Sequence, residues 1–127
     1  MNQITLIFAA LFGILAIILG ALGAHAFKKI LNEDQLKSFE TGVKYQMYHA
    51  IVLLMLGFQL DFTNPIETYI IYCFISGTVL FSFSIYGLVI SAAKNKKMRF
   101  LGPITPLGGL LLTIGWGLFL YYATTTL

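Results

Sequence analysis

The chain has 127 residues, 58% of them hydrophobic and only 10% charged, with a formal net charge of +3. Soluble domains carry roughly 25% charged residues, so a globule of this size and composition would lack the polar surface to cover itself. The length allows one domain, the single cysteine, Cys73, excludes an intramolecular disulfide and any zinc-type spacing, and the sparse charges leave no footprint for nucleic acid.

The first apolar segment runs from Ile4 to Phe27 without a charged residue. It ends in Ala24-His25-Ala26, which has the A-x-A pattern of a signal-peptidase site. A signal peptide, however, has a basic leading region and an apolar stretch of about 7–15 residues. Met1-Asn2-Gln3 has no basic side chain, the run is longer, and Lys28 and Lys29 follow it. The segment is therefore expected to stay in place as a membrane helix spanning about residues 4–27.

Asn32-Glu33-Asp34-Gln35 follows as a helix N-cap with Gln at N3. It predicts a helix from about Glu33 to Leu60, interfacial in its first half and crossing the membrane over about 45–60, with a bend at Gly42. Glu33–Lys37 and Glu40–Lys44 are i,i+4 pairs in acid-first order, each contributing about 0.2–0.5 kcal/mol when formed. Leu36, Phe39 and Val43 share another side. Asp61 and Glu67 flank Asn64-Pro65 in a short turn, and a third span covers about 69–93. The fourth apolar segment runs from Phe100 to Leu127, its span about 104–123. In Gly102-Pro103-Ile104-Thr105-Pro106, Thr105 is the expected N-cap and Pro106 the first helical residue. The alternative is a broken-helix site whose free amides face an anion.

The basic residues fix the expected topology. Lys28, Lys29, Lys37 and Lys44 lie between segments one and two, and Lys94, Lys96, Lys97 and Arg99 between three and four. If all four segments span, every Lys and Arg falls on one side, which the positive-inside rule makes cytoplasmic, with both termini outside. The expected architecture is thus an all-α integral membrane four-helix bundle, with an interfacial helix leading into the second span and a proline- and glycine-broken approach to the fourth. Its basic loops are 28–44 and 94–99.

Helices in lipid associate through close packing at small residues. The sequence offers Ala9, Gly13, Ala16, Gly20 and Ala24 on the first span. Gly77, Ser84, Gly87 and Ser91 line the third, and Gly109, Thr113 and Gly117 stand at i+4 spacing on the fourth. Few ionisable groups lie at depth. His25 and His49 are expected within one or two turns of the cytoplasmic interface, with Tyr45, Gln46 and Tyr48 beside His49 and Tyr86 approaching from the third span. Such residues suit a shared proton, a metal or an axial haem position, or simple hydrogen bonding to tyrosines, carbonyls and headgroups. No G-x-S-x-G, P-loop, H-E-x-x-H or deep carboxylate pair is present. Trp116, Tyr121 and Tyr122 read as an outer aromatic belt, and the outer halves of the helices read as almost wholly apolar.

Three blocks stand in order along the chain: Gly20-Ala21-Leu22-Gly23-Ala24-His25-Ala26-Phe27, Thr41-Gly42-Val43-Lys44-Tyr45-Gln46-Met47-Tyr48-His49-Ala50, and Leu101-Gly102-Pro103-Ile104-Thr105-Pro106-Leu107-Gly108-Gly109 followed by Gly115-Trp116. With them the chain resembles, over nearly its whole length, the YgdD/YwdK-type family of small membrane proteins, which has a mitochondrial branch in eukaryotes. The resemblance implies a four-helix integral membrane protein with no established biochemical activity. In Leu80-Phe81-Ser82-Phe83-Ser84 the chain departs from the family, placing Phe83 where a glycine is common.

The blocks coincide with the residues singled out on physical grounds. His25, Tyr45, Gln46, His49, Tyr86, Thr105, Gly108 and Gly109 are therefore the expected polar cluster, placed at the cytoplasmic end to hold a lipid headgroup, a small anion or a partner. The leading expectation is a non-enzymatic structural, interaction or lipid-associated protein of the bacterial plasma membrane. It needs no cofactor and no metal, and its partners are membrane lipids, a second copy or another membrane protein. A small transporter or channel component using the two histidines is the alternative, and a haem- or quinone-linked redox subunit the third reading.

Overall fold

A computed structural model describes residues 1–126; Leu127, the last residue of the fourth apolar segment, lies outside them. The chain is all-α, with four helices, three of them long and apolar enough to cross a membrane: Asn2–Ala24, Pro65–Ala93 and Arg99–Thr125. The α-helical elements are α1 (Asn2–Ala24), α2 (Glu33–Gln59), α3 (Pro65–Thr78), α4 (Ser84–Ala93) and α5 (Ile104–Thr125). A π turn over Val79–Phe83 joins α3 to α4 within one long span.

Local chemistry sets each boundary. At the start of α2, the Gln35 amide donates to Asn32 Oδ1 at 2.8 Å and the Asn32 amide to Gln35 Oε1 at 3.1 Å, completing the capping box read from the sequence. At α3 the same device recurs with Asn64 and Glu67, and Pro65 occupies the first turn. α4 ends where Asn95 adopts a left-handed φ of 58°. There the Lys96 amide donates to Ser91 O at 2.9 Å and the Asn95 amide to Ala92 O at 3.1 Å, so the freed carbonyls are satisfied.

Two expected details differ. α2 runs through Gly42 without interruption. A Cβ there would stand 2.8 Å from Tyr86 Cε1, so this glycine admits a neighbouring ring rather than a bend. α5 begins at Ile104 with Pro103 as its N-cap, after a 3-10 turn over Arg99–Leu101. Thr105 is thus inside the helix, where its hydroxyl reaches Ser84 on α4. Among the described residues no Lys or Arg nitrogen comes within 4.0 Å of an acidic oxygen, so the Glu33–Lys37 and Glu40–Lys44 pairs do not close on this solvated face.

The helices form two antiparallel pairs, α1 with α2 and the long α3–α4 span with α5. The first pair is in register along its whole length. Asn2 Nδ2 donates to Gly57 O and Leu60 O at 3.3 and 3.0 Å. Gln46 reaches the Phe12 carbonyl in the middle, and Gly23 lies against the Phe39 ring at the other end. On α5 the packed face is Gly108, Leu112, Gly115 and Tyr122, not the Gly109–Thr113–Gly117 row. Thr113 is exposed, and a Cβ on Gly117 would meet nothing within 4 Å. A Cβ on Gly108 would run into the backbone of Leu80 and Phe81. The close approach therefore occurs at the π turn itself, beside Phe83.

Candidate functional site

Two apolar clusters fill the bundle. One contains Phe12, Leu53, Ile70, Ile71, Phe74 and Leu112; the other, toward the basic loops, contains Leu31, Phe39, Ile85, Tyr86 and Val89. Between them lies a layer of polar ties. Gln46, fully buried, donates to Phe12 O at 2.8 Å and accepts from Tyr86 Oη at 2.7 Å, linking α1, α2 and α4. Ser82, in the π turn, donates to Gly42 O at 2.7 Å. Each bond satisfies a group that water cannot reach, and in membranes such bonds contribute about 0.6 kcal/mol on average, up to about 1.7.

His49 belongs to the same layer. It sits ten residues before the end of α2, about 15 Å at the helical rise, and five residues beyond Lys44, about 7.5 Å. Its Nδ1 lies 2.7 Å from the Tyr45 carbonyl, which only accepts, so Nδ1 carries the proton. Its Nε2 lone pair then accepts from Trp116 Nε1 at 3.2 Å. Trp116, still half exposed, is therefore a partner of His49; Phe74 packs against both rings with centroids 5.5 and 5.3 Å away. With both nitrogens engaged, a proton, metal or haem iron at His49 would have to displace Trp116.

The expected cluster is brought together only in part. Gln46, Tyr86 and His49 join the layer, and the Tyr45 backbone does so through its carbonyl. The Tyr45 ring faces outward against Tyr48 and Phe81. Gly108 is buried on the π turn, with Gly109 at looser contact distance from Phe81. His25 stands apart, exposed at the end of α1 in a shallow hollow with Ala24, Ala26, Lys28 and Lys29. Thr105 joins a different contact, 2.5 Å from Ser84 Oγ. Because Ser84 donates to Phe81 O at 2.9 Å, Thr105 supplies the hydrogen.

The Ser84–Thr105 bond marks where α4 and α5 begin to part. Beyond it a cleft of about 810 Å³ opens at the basic end between the first turns of α2, one face of α4 and the start of α5. Its floor is apolar, made by Ile85, Leu88, Val89 and Ala92; its rim carries Asp34, Gln35 and Ser38 on one side and Lys97 and Arg99 on another. The loop bearing those cations is held in place, since Met98 N donates to Ser91 Oγ at 3.1 Å. An apolar trough with charged edges is complementary to an amphiphile. No sequence pattern singled out this cleft, because its walls come from three elements far apart in the chain.

The opposite end also holds a polar site that the sequence patterns did not bring forward. Glu67, only 2% exposed, accepts from Tyr122 Oη at 2.7 Å and from the Asn64 amide at 3.0 Å. This end of the bundle is thus not wholly apolar. The signal was the Asn64-Pro65-Ile66-Glu67 spacing, a capping box that points the carboxylate inward. Among the described residues no group of three or more His, Cys, Asp or Glu is placed to hold a metal ion.

Known proteins resemble this chain over most of its length. Residues 19–109 match the family described as "Protein of unknown function (DUF423)". The chain is 35% identical to the UPF0382 membrane protein of Schizosaccharomyces pombe over 118 residues, covering 88% of this chain and 94% of that protein. It is 35% identical to the UPF0382 inner membrane protein YgdD of Escherichia coli K12 over 120 residues, covering 94% and 88%. A UPF0382 membrane protein of Staphylococcus aureus is 34% identical over 114 residues, covering 90% and 89%. No solved structure matches. The chain belongs to the DUF423/UPF0382 family of small multi-pass membrane proteins.

Proposed function

We propose that this protein is a non-enzymatic, four-span component of the plasma membrane that takes a lipid into the cleft at its cytoplasmic end. The pairing of α1 with α2 supports four crossings. α2 lies beside α1 from Phe39, against Gly23, to Leu60, against Asn2, a stretch of about 32 Å at the helical rise. If α1 crosses the bilayer, the part of α2 beyond Lys44 crosses with it, with the exposed Lys44 ammonium at the interface, and Gln46 and His49 are tolerated because they are buried and bonded. All eight Lys and Arg residues then lie on one side, the cytoplasmic one. The words "inner membrane" in the name of the Escherichia coli relative support the same location.

The observation that carries the lipid reading is the cleft: an apolar floor on α4 edged by Lys97 and Arg99 at the basic end of the bundle. Native mass spectrometry of protein released gently from membranes tests it. The expected result is a bound phospholipid on the native chain that is lost in Ala92→Trp, whose indole fills the floor. Native protein that carries no phospholipid, or an Ala92→Trp variant that carries it equally, would overturn the reading.

A further inference from the structure

Resting on that lipid reading, the charges of the rim specify the headgroup. Lys97 and Arg99 line the cleft together with Asp34, yet no ion pair forms among them. Two cations alone would favour an anionic lipid, with the phosphate as its anchor. Asp34 alters that preference. It is an exposed carboxylate in the first turn of α2, and a second negative charge on a headgroup near it is repelled. A headgroup bearing a phosphate and a separate ammonium is complementary in charge to all three side chains. A primary ammonium matches best, because its N–H groups donate to the carboxylate, whereas a quaternary ammonium has none to donate.

We propose that the cleft is selective for a zwitterionic phospholipid with a primary amine, of the phosphatidylethanolamine class. The phosphate lies at Lys97 and Arg99, the ammonium at Asp34, and one acyl chain along Ile85, Leu88 and Val89. The occupant is a bilayer lipid rather than a free phosphorylated amine, because the floor is apolar and the cleft opens at the end of the spans.

Purified protein is reconstituted in nanodiscs containing equal amounts of phosphatidylethanolamine and phosphatidylglycerol, then released into native mass spectrometry. The wild type is expected to retain phosphatidylethanolamine over phosphatidylglycerol by about ten-fold, equivalent to about 1.4 kcal/mol. Asp34→Asn is expected to keep a bound lipid but lose the preference. α2 stays capped in that variant because the cap is made by Asn32 and Gln35. Lys97→Gln with Arg99→Gln is expected to weaken both lipids together. Equal retention, or a preference for phosphatidylglycerol, by the wild type would overturn the selectivity while leaving the cleft as a lipid site. So would an unchanged preference in Asp34→Asn. Retention of neither lipid by the wild type would overturn both readings.

Discussion

The two ends of the bundle solve opposite problems. At the acidic end, Tyr122 and the Asn64 amide converge on the buried Glu67, and Asn2 bonds the last carbonyls of α2, so α1, α2, α3 and α5 are fastened to their neighbours. At the basic end, Asp34, Lys97 and Arg99 face a shared cleft without pairing, and Ser84–Thr105 is the last bond between α4 and α5 before they part. Polar groups at the first end hold helices together, while Asp34, Lys97 and Arg99 at the second make no ion pair among the described residues. Between them the π turn is the pivot, pinned by Gly108 on one side and by Ser82 to Gly42 O on the other.

If the pivot organises both ends, its disruption should cost most. Gly108→Ala puts a methyl group into the Leu80–Phe81 backbone, which has no flexible side chain to yield, and should destabilise by about 3 kcal/mol, the upper part of the overpacking range. Gly117→Ala, facing open space, should leave thermal unfolding in detergent unchanged. Equal effects from the two would mean that α5 packs by the other face. Next comes the fastened end. Glu67→Ala strands the Tyr122 hydroxyl and the Asn64 amide and should cost about 2 kcal/mol, with Tyr122→Phe costing about 1. Rim variants at the open end, Asp34→Asn or Lys97→Gln, should stay within about 0.5 kcal/mol of the native chain, as exposed sites do.

The smaller effects sharpen the middle layer. Gln46→Leu removes the tie between Phe12 O and Tyr86 Oη and should cost about 1 kcal/mol, within the range for buried bonds in membranes. Thr78 Oγ1 is buried and has no partner, so Thr78→Val, of the same shape, should raise stability by up to about 1 kcal/mol. A loss on that substitution would show that the hydroxyl has a partner in the membrane.

The same contrast explains what was legible in the sequence. The start of α2 was read from Asn32–Gln35, because capping is chemistry between near neighbours in the chain; Asn64–Glu67 carries the same signal but was read only as a turn, so α3 begins at Pro65, earlier than expected. The apolar extents of α1 and the third span were equally plain. The packed face of α5 was not, since Gly108 and Gly109 are adjacent and only the partner's shape decides between them. Regular i+4 spacing favoured Gly109, Thr113 and Gly117, whereas the π turn at Leu80–Phe81 selects Gly108. That turn has no proline or glycine within it to announce it. The His49–Trp116 bond joins residues 67 positions apart, and the cleft is assembled from three elements, so both arise only once the helices are packed. His25, which looked like a partner for His49, is carried to the exposed end of α1.

The contrast between the ends depends most directly on all four helices crossing the membrane, because only then do the basic loops share a side and the cleft lie at one set of headgroups. Single cysteines at Lys29, Asp61, Lys96 and Thr126, each in a Cys73→Ser background, can be labelled in intact cells with a membrane-impermeant maleimide. Four crossings predict labelling at positions 61 and 126 from outside, and at 29 and 96 only after the cells are opened. Labelling of 29 and 61 from the same side would show that α2 does not cross, and would contradict the four-span arrangement.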